Sequence, residues 1–259
     1  MDLGIRGKTA LVVAASKGMG KASALGLGAE GARVVMCARG EGALKDAAAE
    51  VKQKTGAEVL ALPADASRAA DISRVVAEAN RAFGGVDILV ANVGGPPPGP
   101  FEAMTDDQWK AAFEQVHLST VRFIREVLPH MKRSRWGRIL AIQSVSVKEP
   151  LGELLLSNAV RPGVHGMMKT LSRQLGQEGI LVNTLCPGRI LTDRLMGGLK
   201  GSGLSREEYL SRQSADIPLA RPGTAEEFAN VAVFLASERA SYVTGVSLQI
   251  DGGLVRGLL

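Results

Sequence analysis

Short apolar runs alternate with longer segments of helical periodicity along nearly the whole chain. The apolar runs predict buried β-strands at residues 9–14, 33–38, 58–62, 87–91, 138–143, 181–186 and 246–250. The periodic segments predict helices at residues 17–30, 41–55, 69–83, 105–132, 154–177 and 226–236. This alternation predicts an α/β fold in which helices cover both faces of a parallel sheet. The polar stretch 193–215 has neither pattern, so we expect it to be irregular, either a mobile lid or a surface elaboration.

Length and composition narrow the class of protein. The chain has 259 residues, of which 46% are hydrophobic, and we expect a single domain over residues 1–259 with a sizeable core. The net charge of +5 fits anionic small molecules as readily as nucleic acid. The basic run 131–138 is short and isolated, so we expect a solvated helix end and no nucleic-acid partner.

The two cysteines, Cys37 and Cys186, provide neither a disulfide framework nor a metal site. Free thiols are typical of a reducing compartment. The N-terminal residues do not resemble a signal peptide, and no apolar run is long enough to span a bilayer. We therefore expect a cytoplasmic protein without a membrane partner.

A glycine-bearing turn connects the first strand to the first helix, in the sequence Ala14-Ala15-Ser16-Lys17-Gly18-Met19-Gly20. Such a turn offers free N–H groups and the positive end of the helix dipole to a phosphate. The dinucleotide fingerprint G-x-G-x-x-G is incomplete, because Ser23 occupies its last glycine position. An ordinary tight turn between strand and helix would have the same sequence pattern.

Polar residues follow several predicted strands at the edge where a parallel sheet binds ligands. The second strand ends at Arg39 with no acidic residue to accept hydrogen bonds from an adenosine ribose. An arginine at that point suits a 2′-phosphate, and Lys17 supplies a second cation. NADP(H) is therefore favoured over NAD(H), although Arg39 alone is also consistent with a solvated surface charge. Asp65 and Asn92 follow the third and fourth strands.

Several further motifs, taken with this turn, resemble those of the short-chain dehydrogenase/reductase family. They are Asp65-Ala66, Asn92-Val93-Gly94, the strand 137–144, Val182-Asn183, Pro187-Gly188, Val243-Thr244-Gly245 and Asp251-Gly252-Gly253. The chain looks closest to reductases of 3-oxoacyl thioesters of acyl carrier protein. The resemblance implies a single-domain Rossmann-type fold, a doubly wound parallel sheet of about seven strands with helices on both faces. It also implies a homodimer or homotetramer packed through the two long helices, 105–132 and 154–177, and the C-terminal strand.

The resemblance further implies which residues bind the dinucleotide. The adenosine and phosphate half would be bound by Ser16, Lys17, Gly18, Met19, Arg39, Asp65, Ala66, Asn92 and Gly94. The nicotinamide half would be bound by Pro187, Gly188, Ile190 and Thr192.

The catalytic positions depart from the family pattern, as in a divergent branch. The family has a Ser after the fifth strand, then Tyr-x-x-x-Lys and a helical Asn. Ser144 matches the Ser, whereas Ser157 and Arg161 stand where Tyr and Lys are expected, and His117 stands at the Asn position. Neither tyrosine of the chain is followed by Lys four residues later. Ser144 could instead cap local backbone, and His117 could serve packing.

Two functions remain open at this stage. The first is an NADP(H)-dependent oxidoreductase with an altered catalytic set, in which Ser144, Ser157, Arg161 and His117 surround a small-molecule carbonyl or alcohol. An aliphatic hydroxyl is a far weaker acid than a phenol, so Ser157 would be a poor proton donor. The second is a dinucleotide-binding protein with little or no catalysis, acting as a sensor or as an inactive subunit.

Overall fold

The computed structural model describes residues 2–152 and 154–258. Seven parallel strands form one sheet in the order β3-β2-β1-β4-β5-β6-β7. The strands are β1 (Thr9–Val13), β2 (Arg33–Ala38), β3 (Val59–Pro63), β4 (Ile88–Ala91), β5 (Gly137–Ile142), β6 (Ile180–Pro187) and β7 (Ser247–Ile250). This arrangement confirms the predicted α/β fold and its parallel, doubly wound sheet.

The α-helices connect the strands and flank the sheet. They are α1 (Gly18–Ala29), α2 (Glu41–Thr55), α3 (Ala69–Phe83), α4 (Asp106–Ala112), α5 (Ser119–Ser134), α6 (Leu155–Leu175), α7 (Asp193–Gly197), α8 (Arg206–Ser214) and α9 (Ala225–Leu235). A π-helical segment, Phe113–Leu118, joins α4 to α5, so the predicted helix over 105–132 is nearly continuous. Within the described residues, none of these helices is both long and apolar enough to cross a membrane.

Strand residues alternate between two separate hydrophobic cores, as the period of two in a strand requires. In β1, Leu11 and Val13 pack into the core shared with α3, α5 and α6. Ala10 and Val12 point to the other face, where α1, α2 and α9 pack. Because both faces are covered, every residue of β1 is buried, and its sequence is continuously apolar.

The order of the strands reverses between β1 and β4. The chain first builds the sheet outward through β2 and β3, and then returns to place β4 on the other side of β1. Helices that leave β1 and β4 therefore diverge to opposite faces, which opens a crevice at the carboxyl ends of these strands. The fold alone thus selects that edge as the place for a ligand.

The prediction of irregular structure over residues 193–215 is wrong, because this stretch contains α7 and α8. Helix α8 begins at a capping box in which Ser205 Oγ accepts from the Glu208 N–H, and the Glu208 carboxylate accepts from the Ser205 N–H. Tyr209 is buried and its neighbour Leu210 is half-buried, whereas the other residues of the helix are polar. Two adjacent apolar residues have no helical periodicity, which explains why the pattern missed this helix.

Several apolar residues of the long helices α5 and α6 pack into the hydrophobic core of this chain. Phe123 and Ile124 of α5 and Val164 and Met168 of α6 are all buried against the sheet. Phe113 in the π-helical segment is 46% exposed. In the basic run 131–138, Arg138 belongs to β5 and is buried, with its guanidinium stacked on Trp136 at 4.2 Å.

Candidate active site

A cleft of about 1080 Å³ opens where the carboxyl ends of the strands meet. Every residue that the sequence predicted for dinucleotide binding lines it: Ser16, Lys17, Gly18, Met19, Arg39, Asp65, Ala66, Asn92, Gly94, Pro187, Gly188, Ile190 and Thr192. The predicted catalytic residues Ser144, Ser157 and Arg161 line the same cleft. Residues scattered over most of the chain therefore converge on one site.

The turn between β1 and α1 forms one wall of the cleft. Gly18 has a φ of +52°, and a Cβ there would lie 3.1 Å from Thr192 Cγ2, so only glycine allows this close approach without adjustment. Ala14 has the same φ of +52°, which strains a residue with a Cβ. Lys17 Nζ lies 3.2 Å from Asp193 of α7, and both side chains are exposed. The turn presents the first N–H groups of α1 to the cleft.

The ends of β2 and β3 bring Arg39 and Asp65 together. Asp65 Oδ1 accepts hydrogen bonds from the Ser67 N–H at 2.9 Å and from Ser67 Oγ at 2.8 Å. The pKa of Asp65 is lowered, mainly by the bond from the Ser67 amide and further by the charge of Arg39. Arg39 is exposed at this end of the cleft.

At the opposite end, three hydroxyls and a guanidinium form a hydrogen-bonded group. Ser144 follows β5, and its Oγ accepts from the Ser146 N–H at 3.0 Å, which caps the short turn Val145–Val147. Ser157 Oγ lies 3.3 Å from Ser146 Oγ and accepts from Arg161 Nε at 3.0 Å. Ser157 and Arg161 meet because residues four apart in α6 lie on one face of the helix. Ser144 therefore both caps the local backbone and lines the cleft.

The Arg161 side chain is buried, with 6% of its surface exposed. Nη1 donates to the Gln143 carbonyl oxygen at 3.0 Å and lies 3.4 Å from Gln143 Oε1. Burial lowers the pKa of Arg161 to about 10, and the nearby positive charge of Arg194 adds to this effect. A pKa of about 10 leaves the guanidinium charged at neutral pH.

The fourth predicted catalytic residue, His117, lies outside the set of described residues that line the cleft. It belongs to the π-helical segment and stacks on Phe113, with ring centroids 4.8 Å apart. Burial lowers its pKa, which a hydrogen bond to the backbone of Val160 partly counteracts. The ring packs against α6 at Gly163, so it contacts the helix that carries Arg161.

The cleft is also lined by polar side chains that sequence reasoning did not single out, among them Gln143, Arg194 and Tyr209. Arg194 donates to the carbonyl oxygens of Gly95 at 3.2 Å and Pro96 at 3.4 Å, which ties α7 to the loop after β4. The Tyr209 hydroxyl donates to the Leu195 carbonyl oxygen at 2.8 Å and holds α8 against α7. Both residues belong to the stretch whose structure was mispredicted, whereas the position of Gln143 directly before Ser144 was an available signal.

Comparison with known proteins places this architecture in a family. The family model described as "Enoyl-(Acyl carrier protein) reductase" matches residues 13–255. The chain is 34% identical to the 3-oxoacyl-[acyl-carrier-protein] reductase FabG of Escherichia coli K12 over 97% of this chain and 99% of that protein. It is 33% identical to the short chain dehydrogenase/reductase astE of Aspergillus oryzae over 96% of this chain and 95% of that protein.

A solved structure agrees with these sequence matches. The L-sorbose reductase of Gluconobacter frateurii, in complex with NADPH and L-sorbose, superposes with a TM-score of 0.95 at 33% identity, and the match covers 100% of both chains. The family model, the curated relatives and this structure all match nearly the whole chain. The protein therefore belongs to the short-chain dehydrogenase/reductase family.

Proposed function

We propose that this protein is an NADP(H)-dependent oxidoreductase that interconverts a small carbonyl compound and the corresponding alcohol. The observation that carries the proposal is the composition of the cleft, in which all thirteen residues predicted for the dinucleotide line the same space as Ser144, Ser157 and Arg161. The similar L-sorbose reductase was solved in complex with NADPH.

The residues of the cleft fit a dinucleotide phosphate. Helix α1 directs unpaired N–H groups toward the glycine turn, which suits a pyrophosphate. Arg39 stands at the end of β2, where an NAD-binding protein of this fold has an acidic residue. Lys17 adds a second positive charge to the same wall. When bound, the reduced dinucleotide supplies the hydride for carbonyl reduction.

The residues at the other end of the cleft suit a carbonyl that gains negative charge. Hydride addition to the carbonyl carbon leaves charge on the oxygen, and a buried guanidinium stabilises such charge strongly. Ser144 supplies a hydroxyl that can donate to the same oxygen. Ser157 is held between Ser146 and Arg161 and is too weak an acid to protonate an alkoxide quickly. Water then delivers the proton, and we expect slow turnover of ordinary 3-oxoacyl esters.

Cofactor choice tests the proposal directly. Arg39→Ala should weaken NADPH binding by roughly 10- to 150-fold, because a charge-assisted hydrogen bond to the 2′-phosphate contributes about 1.5–3 kcal/mol. NADH lacks this phosphate, so its affinity should change little. Calorimetric titration of both nucleotides measures the difference. Arg81→Ala is the matched control, because Arg81 is an exposed arginine of α3 that does not line the cleft.

Two results would contradict the cofactor assignment. One is a wild-type protein that prefers NADH. The other is an equal loss of NADPH and NADH affinity in Arg39→Ala, which would mean that the side chain contributes to folding of the site instead of phosphate recognition. The same purified protein, screened with NADPH against carbonyl substrates, tests the oxidoreductase assignment.

A second function is favoured by one observation. The chain contains no tyrosine followed by lysine four residues later, so the phenol that donates the proton in this family has no counterpart at the usual spacing. This favours a dinucleotide-binding protein with little or no catalysis. Tight NADPH binding without turnover, in the wild type and in variants that restore Tyr and Lys, would support this reading over the first.

The proposal includes a homodimer or homotetramer in the cytoplasm. Phe113 of the long helical stretch, Leu248 of β7 and Val246, the residue directly before β7, are exposed apolar residues at the elements that the family resemblance assigns to assembly. Cys37 and Cys186 are buried free thiols, which suits a reducing compartment.

A further inference from the structure

Two arginines at the reaction end of the cleft have no acidic partner among the described residues. Arg161 hydrogen-bonds Ser157 and Gln143, and Arg194 hydrogen-bonds the backbone of Gly95 and Pro96. All of these partners are neutral. Both side chains line the same cleft, and the positive charge of Arg194 contributes to the lowered pKa of Arg161. We call Arg161 and Arg194 the arginine pair.

The acidic residues of the cleft are engaged elsewhere. Of the described lining residues, only Asp65 and Asp193 are acidic. Asp65 is bound to Ser67 beyond β3, and Asp193 pairs with Lys17 at the glycine turn. Of the two other arginines that line the cleft, Arg39 acts on Asp65 at the far end, and Arg189 lies 3.7 Å from the Asp216 carboxylate. The reaction end therefore holds positive charge that the described part of the chain does not neutralise.

Two hydrogen-bond donors at this end also lack an acceptor. Gln143 Nε2 is buried without a hydrogen-bond partner in the described part of the chain. Arg161 uses Nε and Nη1 in its contacts, and its Nη2 forms no hydrogen bond with the described residues. Buried donors are almost always paired in native proteins, with protein, water or ligand. Gln143 Nε2 is itself buried, whereas Arg161 Nη2 is not among the buried unpaired atoms of the described residues, so Nη2 is the donor that a ligand oxygen in the cleft can reach.

We propose that the substrate carries a carboxylate, and that Arg161 and Arg194 bind it beside the reacting carbonyl. This inference rests on the proposed oxidoreductase function and names its substrate class, a short 2-oxo or 3-oxo acid with the corresponding hydroxy acid. Guanidinium and carboxylate have opposite charges, and a charge-assisted hydrogen bond between them is roughly twice as strong as a neutral one. Ser157 fixes the Nε edge of Arg161, which leaves Nη2 for the ligand.

The short spacing between carboxylate and carbonyl follows from the contacts of Arg161. Its Nη1 lies 3.0 Å from the carbonyl oxygen of Gln143, the residue directly before Ser144. If Ser144 contacts the reacting carbonyl, the carboxylate bound by Arg161 must be only a few bonds away. A distant carboxylate at the end of a long acyl chain would not reach this arginine.

Calorimetry on the protein saturated with NADP⁺ tests the inference with two probes, acetoacetate and ethyl acetoacetate. These probes share the 3-oxo group and differ in the charge of the carboxyl end. We expect acetoacetate to bind at least about tenfold more tightly than the ester. Arg161→Gln should weaken acetoacetate by about 10- to 150-fold and the ester by a clearly smaller factor, because the ester shares only the reacting carbonyl that the guanidinium also faces. Arg194→Gln should act in the same direction, and Arg212→Gln, an exposed arginine of α8 outside the cleft lining, is the matched control.

The dinucleotide is the competing source of negative charge, so NADP⁺ affinity is measured for every variant. Unchanged NADP⁺ affinity in Arg161→Gln and Arg194→Gln supports a substrate carboxylate. Loss of NADP⁺ affinity as large as the loss of acetoacetate affinity would assign the arginine pair to the pyrophosphate and overturn the inference. Equal binding of acid and ester, or no binding of acetoacetate at millimolar concentration, would also overturn it.

Further measurements distinguish a variant that fails to fold from a failure of the inference, and a failure of the inference from a failure of the proposed function. If Arg161→Gln does not fold, Arg161→Lys keeps the charge, and Arg194→Gln changes an exposed side chain, so the acid-over-ester preference is still measured. Failure of the wild type to bind NADP⁺ at all would remove the proposed function together with this inference. Tight NADP⁺ binding without acid preference would remove the inference alone.

Discussion

Restoring the missing phenol is the sharpest test of how this site works. The double substitution Ser157→Tyr with Arg161→Lys recreates the acid and the cation of the family pattern on the two positions that face each other in α6. Ser157 Oγ lies 3.0 Å from Arg161 Nε, and both residues line the cleft, so a larger side chain at 157 has room to extend into it. A positioned general acid typically contributes 10²- to 10⁴-fold to the rate. We expect a gain within that range for NADPH-dependent reduction of 3-oxoacyl esters.

The contacts of Ser157 set the stability loss that this change brings. The variant loses the hydrogen bond to Ser146, about 1 kcal/mol, and the charge-assisted bond from Arg161, about 1.5–3 kcal/mol. Replacing Arg161 also removes its hydrogen bond to the Gln143 carbonyl oxygen, so the total loss is about 4–7 kcal/mol against a domain stability of about 5–15 kcal/mol, and we expect a measurably lower unfolding midpoint. The single Ser157→Tyr should gain less activity, because Arg161 remains hydrogen-bonded to Gln143 and cannot take the place of a lysine beside the phenol.

The assay measures the initial rate of reduction of a 3-oxoacyl ester by NADPH at equal protein concentration for all variants. The unfolding midpoint of each variant is measured in parallel. Ser157→Phe with Arg161→Lys is the matched control, because it has the ring and lacks the hydroxyl. Pro162 lies inside α6, where a proline removes a backbone hydrogen bond and can kink the helix, and adding Pro162→Ala tests whether this proline limits the gain. An equal gain in the Phe control would refute proton donation as the cause. Brisk wild-type turnover that survives Ser157→Ala would show that the proton comes from another group.

Four further predictions concern the strained turn, His117, a surface ion pair and assembly. Ala14→Gly should raise the free energy of unfolding by about 0.5–1 kcal/mol, because glycine relieves the strain at φ +52° and this gain exceeds the cost of the larger conformational entropy of glycine in the unfolded chain. Chemical denaturation measures this free energy, and a destabilised variant would contradict the prediction. His117→Asn should leave the pH dependence of kcat unchanged, because the ring lies outside the described cleft lining. If the substitution removed one arm of the pH–rate profile, His117 would be a catalytic residue after all. The pKa of Glu227 is lowered to about 2, chiefly by the hydrogen bond from Arg221. The ionised Glu227 therefore stabilises the fold fully at pH values above the pKa of this residue in the unfolded chain, and this stabilisation disappears as the pH falls toward 2. The difference in unfolding midpoint between the wild type and Glu227→Gln should therefore narrow from about pH 5 to about pH 2, and a constant difference would argue against this pair. Sedimentation at micromolar concentration should give a dimer or tetramer, and a persistent monomer would contradict the proposed assembly.

Sequence patterns located the regular elements well where local signals agree with the packing. The predicted helices 41–55 and 69–83 have the same bounds as α2 and α3. Their C-terminal ends are set by glycines in the left-handed conformation, Gly56 and Gly84. Residues 193–215 have no such agreement, because α8 depends on one buried residue, Tyr209, whose contact with Leu195 lies outside its own helix. No local pattern encodes that contact.

The site was predictable where the fold rules act and unpredictable where the chain folds back over the cleft. Strand ends must meet at one edge of a parallel sheet, so the positions of Arg39, Asp65 and Ser144 follow from the element pattern. The partnership of Ser157 and Arg161 follows from helical spacing. Arg194 reaches the cleft only because α7 docks on the loop after β4, and that docking is a tertiary event.

The altered catalytic positions are consistent with one another in size and charge. On the proposed alignment, a short side chain replaces the phenol at Ser157, and a longer cation replaces the lysine at Arg161. The guanidinium reaches further than an ammonium and satisfies two of its nitrogens on Ser157 and the Gln143 carbonyl, which keeps a buried charge stable without a carboxylate. Such a pair has lost a proton donor and kept a cation. A site of this kind stabilises negative charge better than it neutralises it by proton transfer, and both the slow reduction of neutral esters and the binding of an oxo acid follow from that difference.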